Sequence, residues 1–247
     1  MEGEGSCMME LYDVLKSEFR EVVGRIMDEH IAIVSAKTLK AKEAIGIPER
    51  DDFPLLKGKE VMIEAIFREA KGHAFTDMPG QFEGTLRDII ELPLKNNFQR
   101  ALFIASLNAV MRFFGFIEGT VHCKDKEPSF CARRLVETVR EGFGSPRIAF
   151  VGFQPAMIEQ LSGHFPIRII DLDEDNIGKK KFNLLVEGPD ATDEVLSWCD
   201  IILATGSTCV NGTITKFIGT KPVIFYGVSI AGAAKVCRFE RYCPYGH

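Results

Sequence analysis

Arg147-Ile148-Ala149-Phe150-Val151-Gly152-Phe153 (RIAFVGF) is a short apolar run broken by a glycine. A run this brief, apolar without alternation, suits a strand buried on both faces of a parallel sheet. The pattern recurs at Ile167 to Leu172 (IRIIDL), Asn183 to Val186, Ile201 to Ala204 and Pro222 to Tyr226. Helix-length segments separate these runs: Pro155 to Gly163, Thr192 to Cys199, Thr213 to Ile218 and Ile230 to Val236. Strand–helix alternation predicts a doubly wound α/β unit with five or six mainly parallel strands.

Upstream of Arg147 the character differs. Leu11, Val14, Leu15, Phe19, Val22, Val23, Ile26 and Met27 are spaced by threes and fours, predicting an amphipathic helix over residues 9–29. His30 to Ser35 reads as a strand. Glu60 to Phe75 fits both periods and leans to strand, because Val61, Ile63, Ala65 and Phe67 alternate. Thr76 to Gly80 reads as a turn, and Gly84 to Leu92 as a short helix ended by Pro93. Asn96 to Phe114 reads as a second long helix, with Phe98, Ala101, Leu102, Ala105 and Ala109 on one face. The polar stretch Glu118 to Pro128 is the natural connection between two units, and Ser129 is the expected cap of the next helix.

Composition bounds the function. The 247 residues are 46% hydrophobic and 26% charged, with a net charge of −5, which is ordinary for a globular protein. Nothing in that balance points to nucleic acid or an anionic membrane. No apolar run reaches membrane-spanning length, and the first residues lack the basic and apolar regions of a signal peptide. Seven cysteines, an odd number without C-x-x-C, suggest reduced thiols. A soluble cytoplasmic protein is expected.

Chemistry-bearing residues gather where the apolar runs end. Gly152 follows the first run, where a strand turns toward a helix that can face a ligand. Gln154 stands where a dinucleotide fingerprint needs glycine, which argues against a standard dinucleotide site. Asp171 and Asp173 lie 19 and 21 residues after Gly152, near the spacing at which a carboxylate meets a ribose diol; an acidic turn capping a helix fits equally. Thr205, Gly206, Ser207, Thr208, Asn211 and Thr213 follow the run at 201–204, and Gly227 and Ser229 follow the run at 222–226. Small hydroxyl, amide and glycine residues at two strand ends suit a polar pocket, although they are also ordinary turn residues. His122 and Cys123 with Cys131, and Cys237 with Cys243 and His247, are the candidate metal ligands, and neither set has a structural zinc spacing. There is no nucleophile elbow, zincin motif or P-loop.

Five strings resemble a known family: Ser106 to Val110 (SLNAV), Val121 to Asp125 (VHCKD), Asp173 to Gly178 (DEDNIG), Ala204 to Thr213 (ATGSTCVNGT) and Phe239 to Gly246 (FERYCPYG). They are similar to the family named "putative heavy-metal chelation", which has no established activity. The resemblance implies an enolase N-terminal-like α+β domain over residues 1–120 and a Rossmann-like α/β domain over 121–247, with a site where they meet. It brings Asn108, otherwise a costly polar residue in an apolar helix, into that site. It also implies a heavy-metal ion as cofactor, with His122, Cys123 and Cys243 as its ligands.

The leading expectation is a protein that binds a small-molecule or metal ligand in the interdomain cleft. The alternative is an enzyme using a nucleoside-containing cofactor such as S-adenosylmethionine, with Asp171 or Asp173 on the ribose. An interaction module without chemistry is the third reading, since a mean hydropathy of +0.03 is compatible with a buried homo-oligomer face. Neither a nucleic-acid nor a membrane partner is expected.

Overall fold

The structure is a computed structural model describing residues 2–28, 33–58, 60–219 and 221–247. The first helix, α1 (Glu2–Val23), runs into a single 3-10 turn ending at Asp28. Of the strand expected from His30, residues 30–32 lie outside the described residues, and strand β1 (Ile33–Leu39) takes up the rest. A short helix, α2 (Ala41–Ile45), follows. The ambiguous stretch from Glu60 is a hairpin, β2 (Val61–Phe67) and β3 (Ala70–Thr76), turning at Arg68, whose φ is 53°. Strand β4 (Gln81–Thr85) completes an antiparallel sheet of order β3-β2-β1-β4.

The helix expected from Gly84 starts later, as α3 (Leu86–Ile90). Thr85 caps it by accepting from the Asp88 backbone amide while the Asp88 carboxylate accepts from the Thr85 amide. Helix α4 (Asn97–Phe113) is buried from Ala101 to Met111 without a break, as a helix apolar on all sides must be. It lies between β3 and the second half of the chain. Its contact with β3 depends on Gly72, where a methyl group would overlap the Ala105 carbonyl oxygen and the Ala109 nitrogen.

In the second half α5 (Glu127–Phe143) precedes β5 (Ile148–Val151), α6 (Pro155–Ser162), β6 (Ile167–Ile170), β7 (Lys180–Lys181) and β8 (Leu184–Glu187). The chain then forms α7 (Thr192–Trp198), β9 (Ile201–Thr205), α8 (Thr208–Asn211), β10 (Val223–Tyr226), α9 (Ala231–Cys237) and β11 (Glu240–Tyr242). These strands form one sheet of order β11-β10-β9-β5-β6-β8-β7. Every pairing in it is parallel except β7 with β8. Ala149 and Val151 of β5 enter one apolar cluster, and Ile148 and Phe150 enter another. The sheet is therefore covered on both faces, which explains the unalternating run. Each cluster draws residues from both halves of the chain.

The mixed α/β class is as expected, and several local readings are corrected. Ser129 does not cap α5; the helix already begins at Glu127, with Pro128 in its first turn, where a missing N–H costs nothing. Residues 213–218 hold a 3-10 turn, Ile214–Phe217, and the α-helical turn lies earlier, at α8. The sheet has seven strands because two short edge strands, β7 and β11, add to the five runs. The connecting segment is pinned rather than loose: the Val121 amide donates to the His247 carbonyl at 2.8 Å, and the His247 amide returns the bond at 2.9 Å. No helix among the described residues is long and apolar enough to cross a membrane.

Candidate functional site

Sheet topology selects one edge. From β5 the chain moves outward through β6 to β8, then crosses back to enter β9 on the other side of β5. The connections after β5 and after β9 thus leave in opposite directions, and a crevice opens between their carboxyl ends. A cavity of about 370 Å³ occupies that place. The candidate residues at the strand ends all line it, as do His122, Cys123, Cys131 and Cys243. Asn108 lies deeper, and Cys237 and His247 do not reach the cavity. Its opposite wall comes from the first half of the chain, including Phe53, Glu60 and Phe75.

Each strand end has a structural reason for its residues. Gly152 has φ 92°, and a methyl group there would sit 2.7 Å from Thr205 Cγ2 and 3.1 Å from the Tyr226 hydroxyl oxygen. Glycine is thus required by the neighbouring strands as well as by the turn. The Tyr226 hydroxyl reaches across to donate to the Val151 carbonyl at 2.9 Å, and its ring stacks on Phe150. Gly206 packs against the backbone of Ile230, where a methyl group would come within 2.7 Å of the nitrogen. Thr205 Oγ1 accepts from the Ser207 amide and lies 3.0 Å from Ser207 Oγ, and Thr208 Oγ1 donates to the Thr205 carbonyl at 2.7 Å. Asn211 Oδ1 accepts from the Thr213 amide and hydroxyl, tying the next turn. The Gly227 amide donates to the Tyr242 carbonyl, and Ser229 Oγ accepts from the Phe75 amide at 3.0 Å, joining β3 to the loop after β10.

The acidic residues build their own turn. Asp171 accepts from the Asp173 amide at 2.8 Å and from the Asn176 side chain at 3.4 Å, and Asp173 accepts from the Asp175 amide at 2.9 Å. Burial raises the Asp171 carboxyl, and these bonds oppose the rise. Glu60 was not singled out by its sequence, since one acid ahead of an apolar run resembles any solvated strand end. Burial, and then the charges of Asp171, Asp173 and Asp77, raise its carboxyl to about 7. This forms an acidic pole of the cavity.

A second pole holds His122, Cys123, Cys131 and Cys243. The His122 ring lies edge-on to Phe75 of β3, and its Nδ1 is 2.6 Å from the Cys123 carbonyl oxygen. Burial lowers the His122 imidazole to about 4. Burial also raises the thiols of Cys123 and Cys243, and pushes Cys131 up to about 12. Cys237 is half-buried on α9 and belongs to neither pole; His247 Nε2 sits 2.9 Å from Glu127 Oε2. Among the described residues no three His, Cys, Asp or Glu side chains are placed to hold one metal ion. The residues as arranged therefore do not fit a bare heavy-metal ion.

Asn108 is fully buried and satisfied. Its Nδ2 donates to the carbonyls of His73 and Val228, both at 3.1 Å, and its Oδ1 accepts from the Gly232 amide at 2.7 Å. The last bond caps the first turn of α9 from a distant part of the chain.

The family model described as "Putative heavy-metal chelation" (DUF364) matches residues 134–237, from within α5 to the end of α9. Among solved structures, the chain is similar to a DUF364-family protein of unknown function from Pyrococcus horikoshii. Identity is 15%, covering 89% of this chain and 79% of that one, with a TM-score of 0.56. It is also similar to a DUF364-family protein of unknown function from Desulfitobacterium hafniense DCB-2, at 12% identity over 94% of this chain and 83% of that one, with a TM-score of 0.54. The resemblance read from the sequence strings thus agrees with both the family model and the fold. No curated protein matches the chain.

Proposed function

We propose that this protein binds a small organic ligand in the cavity at the carboxyl ends of β5, β9 and β10. The observation that carries this reading is the coincidence of the cavity with the point where the sheet's connections diverge, the usual ligand position in open α/β sheets. The reading treats residues 1–120 as one unit and 121–247 as the other, enolase N-terminal-like and Rossmann-like respectively, with the ligand held between them. Apolar walls would take the body of the ligand, and the acidic pole would take a hydrogen-bond donor or a cationic group. The heavy-metal role in the family description fits this site as a metal carried by an organic ligand better than as a bare ion.

The nucleoside-cofactor alternative asks Asp171 or Asp173 to accept a ribose diol. Both already accept backbone amides in their own turn, which weakens it.

Mass spectrometry of small molecules released from the purified protein, with element analysis, tests the proposal. The expected result is a stoichiometric organic molecule that is absent from a Thr205→Trp variant, whose indole fills the cavity. A stoichiometric metal with no organic molecule overturns the reading. So does an empty protein whose melting temperature is unmoved by nucleosides, amines and soft divalent ions alike.

A further inference from the structure

Beneath the thiol–imidazole pole lies a buried pair, Glu64 and His73, that takes no direct part in the cavity. His73 is 1% exposed and Glu64 6%. Their bonds fix proton positions. His73 Nδ1 lies 3.1 Å from the backbone nitrogen of His122, which can only donate, so Nδ1 is an acceptor without a proton. The proton of the ring is then on Nε2, which donates to Glu64 Oε2 at 3.1 Å. Lys71 Nζ donates to the same oxygen at 3.2 Å. The His73 amide donates to the Thr120 carbonyl at 2.9 Å, so β3 grips the chain on both sides of Val121.

His122 is fixed by its bonds in the same way. Its Nδ1 lies 2.6 Å from the carbonyl oxygen of Cys123, which can only accept, and 3.9 Å from Cys123 Sγ; the short contact puts the proton on Nδ1. Nε2 is left as a bare lone pair on a ring that lines the cavity. The backbone of His122 is held on His73, and its ring is oriented by the Nδ1–H bond to Cys123 and by its edge against Phe75.

We infer that Glu64 and His73 are positioning residues that hold His122 as a fixed hydrogen-bond acceptor, and that the ligand presents an N–H or O–H group to its Nε2. This rests on the cavity being the ligand site. A lone pair held in one direction favours a donor placed to meet it, because no reorganisation is needed on binding.

Nitrogen-15 NMR of histidine-labelled protein tests the inference. In the unmodified protein His122 is expected as the neutral Nδ1–H tautomer and His73 as the neutral Nε2–H tautomer. His73→Leu should put His122 into tautomer exchange, whereas His73→Asn should retain the single tautomer, because its side-chain oxygen can still accept the His122 amide. Should the leucine variant not fold, the tautomers of the unmodified protein and of His73→Asn decide the point. A His122 ring protonated on Nε2, or one unchanged by a folded leucine variant, overturns the positioning role.

Two probes of matched shape test the ligand chemistry. Benzamide should shift His122 Nε2 at millimolar concentration, and methyl benzoate, which lacks a donor, should not. Equal shifts, no shift with either, or a shift with Zn2+ alone overturns the donor assignment. In uniformly nitrogen-15-labelled protein, shifts confined to the Gly152 and Thr205 amides leave the cavity reading standing without the inference. A cavity in which no resonance moves with any probe removes both.

Discussion

Replacing Asn108 separates a structural role from a binding role. Asn108→Ala removes three hydrogen bonds at a site with no solvent access. The Val228 carbonyl keeps a second donor, the Ala231 amide at 3.1 Å. The Gly232 amide and the His73 carbonyl lose the partner that Asn108 gives them. A buried polar group left unpaired costs about 1–3 kcal/mol. Two such groups and a small void give an expected loss of about 3–5 kcal/mol, a large share of the stability of a typical domain. Asn108→Asp isolates the donor: it keeps the acceptor for Gly232 but points a second oxygen at two carbonyls. Those carbonyls and burial raise the new carboxyl in the folded state. The variant should therefore match the parent most closely below about pH 4 and lose stability as pH rises, by about 1.4 kcal/mol for each unit of raised pKa. Urea unfolding with an unchanged denaturant slope measures both. A loss below about 1 kcal/mol for Asn108→Ala, or a pH-independent Asn108→Asp, would refute the account. Full stability with lost ligand would return Asn108 to the site.

Glu60 gives a pH test of the opposite kind to an ion pair. Its carboxyl is raised to about 7, so its contribution is intact below about pH 4.5 and is lost as pH climbs to about 7. Glu60→Gln should melt higher than the parent at about pH 8 and equal it at about pH 4; an equal difference at both pH values sinks the reading. Glu64 behaves inversely, because the His73 hydrogen bond and then Lys71 hold its carboxyl down to about 2. Its stabilisation is present above about pH 4.5 and fades toward about pH 2, and Glu64→Gln should remove that acid dependence in urea titrations. Gly72→Ala should cost about 3 kcal/mol or more, since a methyl group there meets the backbone of α4; near-parental stability would show that the sheet and helix can part cheaply.

The edge of the sheet was legible because parallel strands give simple signals. Runs such as IRIIDL and RIAFVGF are apolar throughout since both faces are covered, and the residues that end each run must turn at one common edge. Reading Gly152, Asp173, Thr205 and Gly227 as strand ends therefore also placed them together. The hairpin at 61–76 was less legible because its own burial blurs alternation: β2 packs one face on α4 and buries most of the other. The edge strands β7 and β11 are two and three residues long, too short to carry any period.

By itself the sequence determined the α/β class, the strand ends and the polar residues at them, because these arise from local burial patterns and turn chemistry. Only the tertiary structure decided which polar residues face the cavity and which are consumed inside the protein. Asn108 and the residues at the strand ends share a chemistry that sequence cannot separate, yet Asn108 meets two carbonyls and one amide from distant segments. Glu60 is the converse, an ordinary acid in the sequence whose carboxyl is raised because folding half-buries it in the cavity wall and brings Asp171, Asp173 and Asp77 around it. The physical reason is the same in both cases. Hydrogen-bond satisfaction and electrostatic environment are set by neighbours far along the chain, and local spacing carries no record of them.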